Sequence, residues 1–197
     1  MPKATGPLYK VAYRRRRENR TNYEKRLGQI KAATPRLVVR TSNRGIRVQF
    51  VDFEQGGDLT RAQAVSGELD EMGWLSQSNT PTAYLVGLMA GMRAKKAKIS
   101  GFHLDIGIHT PSKGRILFAA AMGAKAAGLE ADIPEGEDAM VSEDRIKGEH
   151  IAEYAKTLKT SDHAKFGKLF SRYAAKNIDV TALPALFEKT KQRVASG

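Results

Sequence analysis

The 197-residue chain carries 33 Lys and Arg against 21 Asp and Glu, for a formal charge of +12, and contains no cysteine. This composition excludes disulfides, thiol nucleophiles and thiolate metal sites, and the 41% apolar content excludes a chain disordered throughout. No stretch approaches the ~20 apolar residues of a membrane span, and no apolar run precedes a small-residue cleavage site near the start, so the chain reads as soluble and cytosolic.

The charge sits in one quarter of the chain. Residues 1–47 hold fourteen Lys and Arg against Glu18 and Glu24, whereas residues 48–197 balance at 19 cations and 19 anions. A block of like charge costs self-repulsion and persists where a polyanion offsets it. A solvated tail, a nuclear address or a membrane-surface patch also carries such blocks. In "YKVAYRRRRENRTNYEKRLGQIK", residues 9–31, arginine forks match phosphate oxygens, and the interleaved tyrosines offer faces for unpaired bases. A membrane-surface helix needs a Leu/Phe/Trp face, and none occurs here before Leu27 and Ile30. Residues 1–34 are therefore read as a basic nucleic-acid-binding arm. Its stretch up to Tyr9 is expected to be extended, and "TNYEKRLGQIKA" a short helix opened by Thr21 or Asn22.

Residues 35–131 read as an α/β domain. Two β-rich runs, Arg36 to Thr41 and Ile46 to Phe53, flank a four-residue hairpin loop, Ser42, Asn43, Arg44 and Gly45. Asn43 and Gly45 are expected to supply left-handed backbone angles there. Ile46, Val48 and Phe50 share one face and Arg47 and Gln49 the other; Val51 and Phe53 make the second face apolar too, which predicts cover on both sides at the far end. A third strand is expected around Arg61 to Val65. A helix follows from Thr80 as N-cap, with Pro81 in its first turn, a stripe of Tyr84, Leu85, Leu88 and Met92, and Gly87 and Gly91 packing closely on a sheet. "ISGFHLDIG" reads as a strand over Ile99, Phe102, Leu104 and Ile106, and a second helix runs from near Ser112 to Gly128. This order predicts a mixed β-sheet with packed helices.

Residues 132–197 read as an acidic linker and a helical extension. "SEDRIKGEHIAEYAKTL" is expected to present Ile146, His150, Tyr154 and Leu158 on one face, and "SDHAKFGKLFSRYAAK" Phe166, Leu169, Phe170 and Tyr173.

Signals for chemistry are sparse. "TPSKGR" lacks P-loop spacing, although Ser112 and Lys113 at a helix start are candidates to receive one phosphate. The four histidines lack metal-ligand spacing, and Asp52 and Asp105, near strand ends where a two-metal nuclease keeps acids, read as turn or cap residues. No catalytic residue, metal or cofactor is assigned.

The ordered blocks "GPLYKVAYRRRRENRTNYEKRLGQI", "PRLVVRTSNRGIRVQFVDF", "TPTAYLVGLMAG", "LDIGIHTPSKGR" and "EDRIKGEHIAEYA" resemble the archaeal and eukaryotic form of large-subunit ribosomal protein number eighteen over roughly residues 5–158. The resemblance implies a mixed-sheet α/β fold of ribonuclease-H-like shape, no enzymatic activity, and a place in the large ribosomal subunit in the cytoplasm. The partners it implies are 5S rRNA, large-subunit rRNA and neighbouring ribosomal proteins, with no membrane and no small-molecule substrate. Carried over by position, the arm residues are Lys3, Tyr9, Lys10, Tyr13, Arg14, Arg15, Arg16, Arg17, Arg20, Asn22, Tyr23, Lys25 and Arg26; the hairpin residues are Arg40, Ser42, Asn43, Arg44 and Arg47. A metal-dependent nuclease on such a sheet, or a general DNA-compacting protein, are the competing classes.

Overall fold

A computed structural model describes residues 6–133 and 141–196. Two short basic helices, α1 (Arg14–Arg17) and α2 (Tyr23–Lys31), precede the strands β1 (Arg36–Thr41), β2 (Ile46–Glu54) and β3 (Gly57–Val65). Helix α3 (Thr80–Lys96) leads to β4 (Gly101–Asp105), and α4 (Ile116–Ala126) to β5 (Glu130–Asp132). The sheet has the order β3-β2-β1-β4-β5. β1 pairs antiparallel with β2 and β2 with β3, while β4 runs parallel to β1 and to β5. The expected mixed α/β fold is what the chain adopts.

Alternation within the strands divides the sheet into two unlike faces. Leu37, Val39, Ile46, Val48, Phe50, Ala62 and Ala64 are buried against α3 and α4. The opposite face carries Arg36, Val38 and Arg40 on β1, Arg47 and Gln49 on β2, and His103 and Asp105 on β4, in register across the ladders. A register shift at Phe50/Val51 lets β3 start at Gly57, four residues before the expected Arg61. The far end of this ribbon is not covered on both sides: Val51 is buried, but Phe53 is 50% exposed.

Helix α3 is capped by Asn79, whose side chain accepts the Thr82 N–H at 3.0 Å, and not by Thr80; Pro81 does lie in its first turn. It is buried on nearly all sides rather than along one stripe. A Cβ on Gly87 would lie 1.9 Å from the Ala120 carbonyl oxygen, and one on Gly123 2.1 Å from that of Tyr84. The glycines of α3 therefore seat it against α4, and not against the sheet as expected. α4 starts at Ile116 rather than near Ser112, because Gly114, at φ +68°, holds a turn before it. Ile99 and Ile106 flank β4 instead of belonging to it, and β5 forms where the linker was expected to begin.

The remaining helices are α5 (Glu143–Lys147), α6 (Glu149–Ser161), α7 (His163–Leu169), α8 (Ser171–Ala175) and α9 (Leu183–Ser196). Gly148, left-handed at φ +83°, separates α5 from α6 and resets the helical phase. Ile146 and Leu158 are buried as expected, but His150 and Tyr154 are exposed, and α6 instead buries Ala152 and Ala155. Phe170 and Tyr173 are buried and Phe166 is half-buried, whereas Leu169 is exposed. Helix α9, which lies within the expected helical extension, returns to the core: Phe187 is 1% exposed and packs its ring against Trp74 and Tyr84, with centroids 6.1 and 5.7 Å away.

Candidate nucleic-acid interface

Among the described residues, no second layer of apolar helices covers the polar sheet face. α2 lies over it instead, burying none of its own residues fully, and the two enclose a groove of about 660 Å³. Arg15, Arg20, Asn22, Lys25 and Arg26 line it from the arm, and Arg36, Arg40, Gln49, Thr60 and His103 from the sheet. Six of these ten side chains are cationic.

The four arginines that open the arm's basic run are not extended. They form the single turn of α1, which ends because Asn19 turns left-handed at φ +53° and the Arg20 N–H closes back on the Arg15 carbonyl at 2.9 Å. Glu18 accepts from Arg14 Nε at 2.9 Å and lies 3.4 Å from Arg20 Nε, and Arg15 Nε donates to Thr21 Oγ1 at 2.8 Å. Arg16 and Arg17 have no ion-pair partner among the described residues. Of the two candidate caps, Thr21 and Asn22, it is Asn22 that accepts the N–H groups of Glu24 and Lys25 at 3.1 Å and so opens α2. Tyr13, 73% exposed, leans on Tyr23 at 5.2 Å between ring centroids. Tyr9, Lys10, Arg14 and Arg17 are exposed along the outside of the arm. Lys3 lies outside the described residues.

Acidic side chains organise the cations beneath. Asp105 accepts from Arg36 Nη1 at 3.2 Å, Arg40 Nη2 at 3.3 Å and the Gly107 N–H at 2.7 Å. Asp58 lies 2.8 Å from both Arg36 Nη2 and Arg26 Nη2, so Arg26 ties the arm to the sheet through an acid on β3. Asp105 is thus a turn residue, as expected, and an ion-pair centre as well. Asp52 is neither turn nor cap: it sits within β2 opposite Leu59, with Arg61 3.7 Å away.

The hairpin stands beside the groove. Arg47 lies directly across from Arg40 on the polar face, an unfavourable placement for like charges. Arg44 and Asn43 are exposed at the tip. The loop is held by Ser42, whose hydroxyl donates to the Gly45 carbonyl at 3.1 Å and accepts the Gly45 N–H at 3.2 Å. Neither Asn43 nor Gly45 has a positive φ. Gly45 is required for a different reason: a Cβ there would lie 2.3 Å from the Ser66 hydroxyl. Ser112 and Lys113 occupy an exposed turn ahead of α4, not its first turn, and do not line the groove.

Arg36, Gln49, Thr60 and His103 escaped the sequence reading as site residues. The signal was available for two of them, since alternation places Arg36 and Gln49 on the face shared by Arg40 and Arg47. His103 and Thr60 reach that face through strand pairings that sequence spacing does not reveal.

A family model described as "Ribosomal large subunit proteins 60S L5, and 50S L18" matches residues 8–101, the stretch that holds the described arm, the hairpin and the groove residues apart from those of β4 and the turn after it. A large ribosomal subunit protein uL18 from Metallosphaera sedula is 45% identical over 195 residues, 98% of each chain. The chain belongs to the uL18 family. Proteins of the same name from Staphylothermus marinus and Saccharolobus solfataricus are 45% and 44% identical over 97% and 98% of this chain. The similarity therefore runs through the C-terminal helices, beyond the expected limit near residue 158. The family is a structural one of the large ribosomal subunit, and the chain is not an enzyme.

Proposed function

We propose that the chain binds 5S rRNA through the arm and the polar sheet face, and helps attach it to large-subunit rRNA in the central protuberance of cytoplasmic ribosomes. The observation that carries this reading is the convergence of arm and sheet cations on one groove, with its floor set by buried ion pairs. In this reading residues 1–34 form the RNA-binding arm, 35–131 the domain that supports it, and 132–197 the extension.

Phosphate contacts from Arg14 to Arg17, Arg20 and Lys25 supply affinity and register, because they neutralise backbone charge without reading bases. The exposed rings of Tyr9 and Tyr13 offer stacking platforms for unpaired bases. Arg44 projects from the loop that Ser42 closes and Arg47 from the paired strand that follows it, so both lose little entropy on binding and respond to RNA shape. Gly28 on α2 fits the same picture: beyond its own stretch of helix, no atom of the described residues lies within 4 Å of where its Cβ would be, which leaves room for an RNA backbone.

The test is binding of the full chain to a 5S rRNA transcript, an unrelated structured RNA and duplex DNA at one salt concentration. A clear preference for the 5S transcript supports the proposal. Equal affinity for DNA would point to a general nucleic-acid compactor instead.

A further inference from the structure

The balance of charge in residues 48–197 hides two blocks. Residues 130–153 hold nine carboxylates against Arg145 and Lys147, and residues 156–176 hold six cations against Asp162 alone. That single acid is occupied as the cap of α7, accepting the Lys165 N–H at 2.9 Å. Arg172 and Lys176 are committed to the body of the protein, donating to the Ser76 carbonyl at 3.2 Å and the Asp70 carboxylate at 2.6 Å. Lys156 and Lys159 on α6, and Lys165 and Lys168 on α7, are exposed at i, i+3 spacing. Among the described residues none of the four has an ion-pair partner closer than 4 Å. Asp179, whose charge Lys159 feels, accepts from the N–H and hydroxyl of Thr181 at 2.9 and 2.8 Å.

Gly167, between Lys165 and Lys168, is a second and independent sign. A glycine inside a helix costs stability relative to alanine. It is exposed and not left-handed, and a Cβ on it would meet nothing within 4 Å, so the fold gives no reason for it. Close approach by an external backbone does.

Building on the reading of the chain as RNA-binding, we propose that the lysine face of α6 and α7 is a second RNA surface, which tracks the phosphates of a helix other than the one held by the arm. The position of the face requires a separate RNA segment. α2 lies over the polar side of the sheet, α3 and α4 cover its other side, α9 packs on α3, and α6 packs on α9. None of the four lysines lines the groove between the arm and the sheet, and α6 and α7 make their packing contacts with the C-terminal helices. RNA is favoured over protein because lysine is depleted in protein interfaces, whereas as a flexible point charge it suits a phosphate backbone.

The experiment uses the full chain saturated with 5S rRNA transcript, to which a 20-base-pair RNA duplex is added. The wild type should capture the duplex as a ternary complex; Lys156→Ala, Lys159→Ala, Lys165→Ala and Lys168→Ala combined should form the binary complex and lose the ternary one. With the duplex alone, the slope of log affinity against log salt should become shallower by about 3 in this variant. Gly167→Ala should raise the melting temperature yet weaken duplex capture. Undiminished capture by the lysine variant overturns the proposal. So does loss of the variant's incorporation into large subunits with RNA capture intact, since that marks a protein-facing surface. Failure to bind 5S rRNA appears in the first step and bears on the preceding proposal alone, because the duplex titration still reads the lysine face.

Discussion

Arg36 and Asp105 form a buried ion pair across the parallel junction of β1 and β4, with Nη1 and Oδ2 3.2 Å apart and side chains 5% and 9% exposed. The pair lies beneath the groove and is joined at its edges by Arg40 and, through Asp58, by Arg26. It is the point at which the arm, the hairpin strand and the central sheet share one electrostatic network.

Removing one member of a buried pair leaves a desolvated charge, at a cost of about 3 kcal/mol or more. Asp105→Asn should therefore lower stability by about 3 kcal/mol in denaturant titrations and also weaken RNA binding by the folded fraction, because Arg40 loses its anchor. Asp52→Asn, at a solvent-reached pair 3.7 Å from Arg61 in which Asp52 is half-buried, should change stability by less than about 1 kcal/mol.

Deleting residues 1–34 separates affinity from folding. If about eight arm cations reach phosphates, log RNA affinity should fall against log salt with a slope of roughly −6 to −7 in the full chain, and the truncated chain should show a much flatter line. Cooperative thermal unfolding should survive, since α1 and α2 contain no buried residue. Loss of cooperativity would mean that the arm belongs to the core.

Helix α9 carries the opposite expectation. Phe187→Ala removes a ring lodged between Trp74 and Tyr84, and a cavity of that kind costs about 3 to 5 kcal/mol. Because α9 packs on α3 beneath the sheet, the loss should appear as one lower unfolding transition for the whole chain, not as a separate early melting of the C-terminal helices.

The parts of this structure that local signals specify were legible in the sequence. The β1–β2 hairpin declared itself through alternation on either side of a four-residue loop, and Asn22 through its position ahead of a helical run. Helix α9 was legible as part of the helical extension: Leu183, Leu186, Phe187, Thr190 and Val194 follow helical spacing. Other features depended on partners distant in sequence. Gly87 and Gly123 look like ordinary small residues until α3 and α4 are brought together, and Asp58 became a clasp for Arg26 only because a register shift in the β2–β3 ladder turned it toward the groove. The face of α6 was misread because Gly148 resets the phase, and because alanines, which form most of the true face, give a weak apolar signal. At the site, charge located the arm, but the paired acids that position its cations could be found only in three dimensions.

The central claim is that specificity for 5S rRNA lies with the rigid hairpin and sheet face while the arm supplies general affinity. Competition between a 5S rRNA transcript and an unrelated structured RNA, at one fixed salt concentration, measures it directly. Arg44→Ala with Arg47→Ala should reduce the preference for the 5S transcript, whereas neutralising Arg14 to Arg17 should weaken both RNAs nearly alike. A hairpin variant that keeps its full preference beside an arm variant that loses it would contradict the account and move specificity into the arm.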